Sequence, residues 1–156
     1  MVCVSSFYAA DYPNLVAFVN NELTKIPSNV RVYDAFRKYA EYNHGWEGYF
    51  VFWRYTDPSI NIEDLNTHNG PDEYTFAKYK PNFPRYIFLD VAWAKRFESD
   101  SQNPALAAKA KRLMEACILH EMCHRGDWDD GEQQQKEAGE EFEKAAYGAV
   151  QGRYWP

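Results

Sequence analysis

Cysteine is scarce in this 156-residue chain, where Cys3, Cys117 and Cys123 are the full complement. An odd, widely spaced set does not make a disulfide framework, so the thiols read as free and the fold must rest on a packed core. Basic residues are also in deficit, with 17 Lys plus Arg against 23 Asp plus Glu and a net charge of −6. That balance argues against a general nucleic-acid binder, which carries a basic footprint. No apolar run approaches the roughly 20 residues of a membrane span. Residues 1–10 hold neither a basic segment nor a long apolar one, so no ordinary secretory signal is expected. Either the chain acts in the cytoplasm or it is exported without such a signal. Repeats, low-complexity tracts and Gly/Pro/Ser-rich linkers are lacking too, which predicts one domain over residues 1–156.

Aromatic residues are plentiful, at 17% of the chain. They supply either a core of large rings or an aromatic-lined cleft. Helical spacing of Leu15, Phe18, Val19 and Leu23 predicts a helix over 12–25, with Pro13 in its first turn and Pro27 beyond its end. A second helix is predicted over 30–42. Strands are expected at 49–55 and 85–91, and a short helix at 92–98. Residues 59–84 are polar, contain three prolines and read mainly as loop. The clearest helix starts at Asn103-Pro104, a good cap followed by a residue suited to the first helical position. It is predicted to close near Gly126. A last helix is expected over 133–150.

The long helix carries His120-Glu121-Met122-Cys123-His124, the pattern HExxH. Residues four apart on a helix differ by about 40° around the axis and one turn along it. Both imidazoles can therefore reach one metal ion from one face. Glu121 lies beside them, where its carboxylate can act on a water without being a ligand. The pattern favours zinc, which lowers the pKa of a bound water to about 7 so that Glu121 can take its proton as general base. Two His and one carboxylate also suit other divalent ions, non-haem iron among them.

A catalytic zinc site needs a third protein ligand and an open position. No His follows His124, so the donor must be one of the carboxylates at 127, 129, 130, 132, 137, 140, 141 or 143. Glu143 shares a helical face with Ala146, Tyr147 and Val150. A Glu on an apolar stripe is costly unless paired or metal-bound, which makes Glu143 the expected ligand. Glu140 and Asp127 are the alternatives, and Asp127 also suits a role orienting a His. The acidic stretch 127–131 lacks the alternation of a calcium loop and reads as a turn, with Trp128 as a roof for the cleft.

An HExxH helix followed by a second helix with a Glu nineteen residues after the second His resembles the gluzincin branch of zincin metallopeptidases. In many gluzincins an Asp four residues beyond the ligand Glu supports a ligand His; Tyr147 stands there in this chain. The segments 119–128 and 139–148 resemble small bacterial zincin toxin domains associated with spike proteins of type VI secretion systems. The resemblance covers about the last third of the chain. It implies an α+β, zincin-like fold with several helices packed on a small, mostly antiparallel sheet and HExxH on a long helix. It also implies zinc held by His120, His124 and Glu143, with Glu121 catalytic. A peptide or protein would be the substrate, a secretion spike protein and an immunity protein the partners, and a target cell the destination. Zincins pair extended substrates with an edge strand, a role open to residues 85–91 or 49–55. Tyr147, His68, His44 and Tyr154 are the residues available to stabilise an oxyanion. Two other functions fit the same residues: a peptidoglycan amidase or endopeptidase, and an interaction domain whose zinc is closed off by a fourth ligand, Asp127 or Glu140.

Overall fold

A computed structural model describes residues 2–42, 58–67, 74–129 and 137–152. The strand expected at 49–55 lies outside them. The described strands are β1 (Cys3–Val4), β2 (Ser59–Glu63), β3 (Ala77–Tyr79) and β4 (Tyr86–Asp90). They form one sheet in the order β1-β2-β4-β3. β1 and β2 are parallel, β2 and β4 are parallel, and only β3 runs antiparallel to β4. The sheet is thus mixed, which corrects the expectation of a mostly antiparallel one. Long connections, one of which includes the helices at Pro13–Asn21 and Val30–Tyr39, return the chain to the same end of the sheet and make the parallel pairings possible. β4 is an internal strand rather than the edge, and Ile87, Phe88, Leu89 and Asp90 along it are all buried.

The segment expected to be loop, 59–84, contains both β2 and β3. In β2 only Ile60 and Ile62 are buried, alternating with polar residues, and β3 is three residues long. The antiparallel β3 is the edge strand on the side of the long helix. Asp90 N–H donates to the carbonyl of Phe76 at 2.9 Å, so residues 76 and 78 face β4. By the alternation of an antiparallel ladder, the backbone groups of Ala77 and Tyr79 point outward from the sheet.

Among the described residues five α-helices accompany the sheet: α1 (Pro13–Asn21), α2 (Val30–Tyr39), α3 (Val91–Asp100), α4 (Ala107–Asp129) and α5 (Ala138–Tyr147), with a 3-10 segment at Leu23–Ser28. α1 begins at Pro13 as expected, but no side chain at its own cap serves its free amides. Glu98 of α3 does so instead, accepting from Asn14 N–H at 3.0 Å and Leu15 N–H at 2.7 Å. This places a carboxylate at the positive end of the helix and ties α1 to α3.

α4 is the axis of the molecule. It packs against β3, β4, α2, α3 and α5. Every side chain from residue 116 to 123 is buried, so this part of the helix is covered all round. The helix also passes through Gly126 instead of ending there. A Cβ on Gly126 would lie 2.0 Å from the carbonyl oxygen of Ala40, so glycine is what lets α4 cross the end of α2. α2 and α5 meet through Phe36 and Phe142, edge to face at 6.3 Å. No described helix is long and apolar enough to cross a membrane.

The end of β4 is organised by Asp90, which is 2% exposed. Its carboxylate caps α3 by accepting from the amides of Ala92 and Trp93. It also accepts from Leu65 N–H, Asn66 Nδ2 and the Tyr74 hydroxyl. One buried charge thus fixes a helix start and both ends of the connection leading into β3. Replacing it by alanine leaves several donors unmatched. Asp90→Ala is expected to cost about 3 kcal/mol or more, measured by urea denaturation; a loss below about 1 kcal/mol would contradict this role.

Candidate metal centre

His120 and His124 lie one turn apart on α4, with ring centroids 5.0 Å apart. His120 is 8% exposed. Both Nε2 atoms approach a single carboxylate oxygen, Glu137 Oε1, at 3.4 Å from His120 and 2.5 Å from His124. One potential ligand atom from each of the three residues falls within 4.8 Å of the others, and this is the group of three such residues found among the described residues.

Glu137 reaches this position because α5 starts at Ala138, not at residue 133. Glu137 is the N-cap residue, with extended backbone (φ −63°, ψ 107°), and its side chain accepts from the amide of Glu140. Its carboxylate therefore turns across the helix mouth toward α4 instead of following the helical pitch. Burial acts to raise its pKa, but hydrogen bonds from His120, His124 and the Glu140 amide outweigh that and hold it well below the usual carboxylate range. The close approach of α5 depends on Gly139. A Cβ there would lie 2.4–2.5 Å from three atoms of the His120 ring.

Glu143, the expected third ligand, has another position. It is fully buried, with Oε1 2.7 Å from His120 Nδ1. Its Oε2 accepts from the backbone N–H of Gln151 at 2.5 Å. The apolar-stripe reasoning found a truly buried Glu, but that Glu lies behind His120, away from the shared point in front of the two rings. The Gln151 side chain accepts in turn from Arg112 Nε at 3.2 Å, which secures the chain segment after α5.

This arrangement tests whether the residues suit a metal. When His120 donates Nδ1–H to Glu143, Nε2 of the neutral ring is left as an acceptor. It then faces Glu137 Oε1, and the two atoms are bridged either by a proton, as in the hydrogen bond that lowers the Glu137 pKa, or by a metal ion. Zinc bonds of about 2.0–2.2 Å in a tetrahedron put neighbouring donors about 3.3 Å apart. The 3.4 Å between His120 Nε2 and Glu137 Oε1 fits that spacing, whereas the 2.5 Å between His124 Nε2 and Glu137 Oε1 is a direct hydrogen-bond distance that must open for both to ligate one ion. Two imidazole nitrogens and a carboxylate are also a donor set that zinc accepts.

Glu121 is 6% exposed and stands outside the three-residue group. Its Oε2 accepts from the outward Tyr79 N–H at 2.7 Å, which ties it to the edge strand. In front of it opens a cavity of about 380 Å³, lined by residues that include Tyr79, Glu121, His124, Asp127 and Trp128. Asp127 lines this cavity but does not join the group of three. Glu140 is exposed and paired with Lys144 at 3.2 Å. Tyr147 donates its hydroxyl to Glu115 at 2.9 Å, and Arg112 lies over its ring, so it is engaged elsewhere. His44, His68 and Tyr154 lie outside the described residues. Cys117 and Cys123 are buried and form no disulfide, and burial pushes the Cys123 thiol well up.

The family model described as metallopeptidase toxin 3 matches residues 8–148. The chain belongs to the metallopeptidase toxin 3 family. No curated protein and no solved structure matches it. For a metallopeptidase toxin 3 domain, the His/His/Glu group is a plausible metal-binding cluster. Membership extends over nearly the whole chain, well beyond the HExxH helix and α5.

Glu143→Gln keeps the shape but weakens the bond to His120 Nδ1–H, and Gly139→Ala presses on the ring. Each is expected to reduce zinc affinity roughly 10–100-fold, the usual effect of disturbing a ligand's hydrogen-bond partner. Competition with a chromophoric chelator measures it; unchanged affinity in both variants would remove the supporting role.

Proposed function

We propose that this chain is a zinc-dependent metallopeptidase toxin domain that hydrolyses amide bonds in a peptide or protein substrate. The reading is carried by one observation: two helical His and the carboxylate that caps the next helix come together, and one of those His, His124, lines an open cavity with the separate buried Glu121. Metallopeptidase toxin 3 family membership supports the reaction class and the toxin role. His120, His124 and Glu137 would hold the ion, and Glu143 would orient His120. The assignment of Glu137 replaces the expectation of Glu143 as third ligand. Asp127 stays outside the group, so among the described residues no fourth donor closes the cluster in the manner of a structural site.

When bound, zinc supplies Lewis acidity, lowering the pKa of water to about 7 and polarising the scissile carbonyl. Glu121 takes the proton of the attacking water and delivers it to the leaving amine. The Tyr79 N–H holds the Glu121 carboxylate in place at the cavity wall. Ala77, the other β3 residue turned outward, offers its backbone to an extended substrate. Delivery into a target cell by a secretion spike protein, with an immunity protein to protect the producer, fits this toxin reading.

Glu121→Gln keeps an acceptor for Tyr79 N–H but removes the base. It is expected to bind one zinc per chain and lose about 10²–10⁴-fold in peptide hydrolysis. His124→Ala and Glu137→Ala are expected to lose tightly bound zinc as well. Elemental analysis beside turnover of an unstructured protein substrate reads both effects. Full activity in Glu121→Gln would falsify the mechanism.

A further inference from the structure

A second cavity of about 440 Å³ continues from the first. The two share Lys78, Tyr79, Pro81 and Trp128, so a chain lying across the metal cluster runs directly into it. Its size falls within the range of about 300–1,000 Å³ typical of ligand pockets. Two features give it a chemical preference. Its rim holds Phe83, 52% exposed, and Trp128, 48% exposed. Large rings left in water at the edge of a cavity mark a surface that another apolar group covers. The second feature is charge. Lys78 and Lys80 line this cavity, and its lining includes no acid, although the chain as a whole carries −6. Lys80 is paired with Glu63 at 2.6 Å and lies over the Phe88 ring. Lys78 is exposed, and no described carboxylate pairs with it.

We infer that this groove selects the substrate by seating an aromatic side chain against Phe83 and Trp128 beside a carboxylate that meets Lys78. The inference rests on the metallopeptidase reading for its function, but the binding preference does not depend on the metal. Acidic-aromatic peptide segments are the chemical class it takes, and Trp128 and Lys78 are its specificity-determining residues.

The test uses zinc-loaded Glu121→Gln protein and fluorescein-labelled ten-residue peptides of one frame. One central position is Phe or Ala, and its neighbour is Glu or Lys. Fluorescence anisotropy is expected to show the Phe-Glu peptide binding at least about tenfold more tightly than the Ala-Lys peptide, in keeping with burial of one ring. Adding Trp128→Ala should erase the Phe-over-Ala preference, and adding Lys78→Glu should invert the Glu-over-Lys preference. Both side chains are exposed, so the variants should keep the parent's melting temperature. The preferences should also persist in metal-free protein. Absence of binding, equal binding of all four peptides, or an unchanged order in both variants would overturn the groove assignment. If the preferences hold but wild-type protein with zinc leaves the Phe-Glu peptide uncut, the hydrolase reading fails and the groove stands as a peptide-binding surface.

Discussion

A carboxylate removed from solvent is costly unless both oxygens find strong partners. Glu143 meets that condition through the His120 ring on one side and the Gln151 amide on the other. The cost of burial makes the pair directional, because His120 must present Nδ1 to Glu143 and therefore turn Nε2 outward. Gly139 lets α5 come close enough for this contact, and the same helix start brings Glu137 to the opposite edge of the ring. His120 is consequently held between two acidic side chains, Glu143 of α5 behind it and Glu137 at the cap of α5 in front.

The rest of the fold delivers α4 and α5 to that contact. α4 is enclosed from residue 116 to 123, so its His and Glu side chains project from a rigid, packed segment. The edge strand β3 contributes through its backbone, since Tyr79 N–H engages Glu121. Asp90 secures the chain on the approach to that strand. A charge at the end of β4, a three-residue strand and a buried helix thus combine to set the orientation of one carboxylate.

Helices were legible in the sequence where an apolar period or a cap was strong, as at Pro13 and along residues 110–118. The HExxH pair and its helix could be read from spacing alone, because period and chemistry coincide there. The boundaries failed for physical reasons. Gly126 looked like a helix stop, but it serves a close crossing with Ala40, a tertiary contact that leaves no local signature. β2 and β3 are short and polar on one face, so they did not stand out from the surrounding prolines. Glu137 was missed because a helical wheel drawn from residue 133 gives a direction to a residue that is not helical. Its role depends on where α5 begins, and Glu is not among the preferred cap residues. Gly139 was the available clue, since a glycine in a helix interior invites the question of what lies against it. The burial of Glu143 was readable, while its choice of partner required the third dimension.

The central claim is that Glu137 ligates and Glu143 supports. A crystal structure of the zinc-soaked protein, with anomalous scattering recorded at the zinc edge, tests it most directly. The account predicts one zinc peak within about 2.0–2.2 Å of His120 Nε2, His124 Nε2 and a Glu137 oxygen, with Glu143 still on His120 Nδ1. Zinc bound by Glu143, or no peak at the His pair, would contradict it.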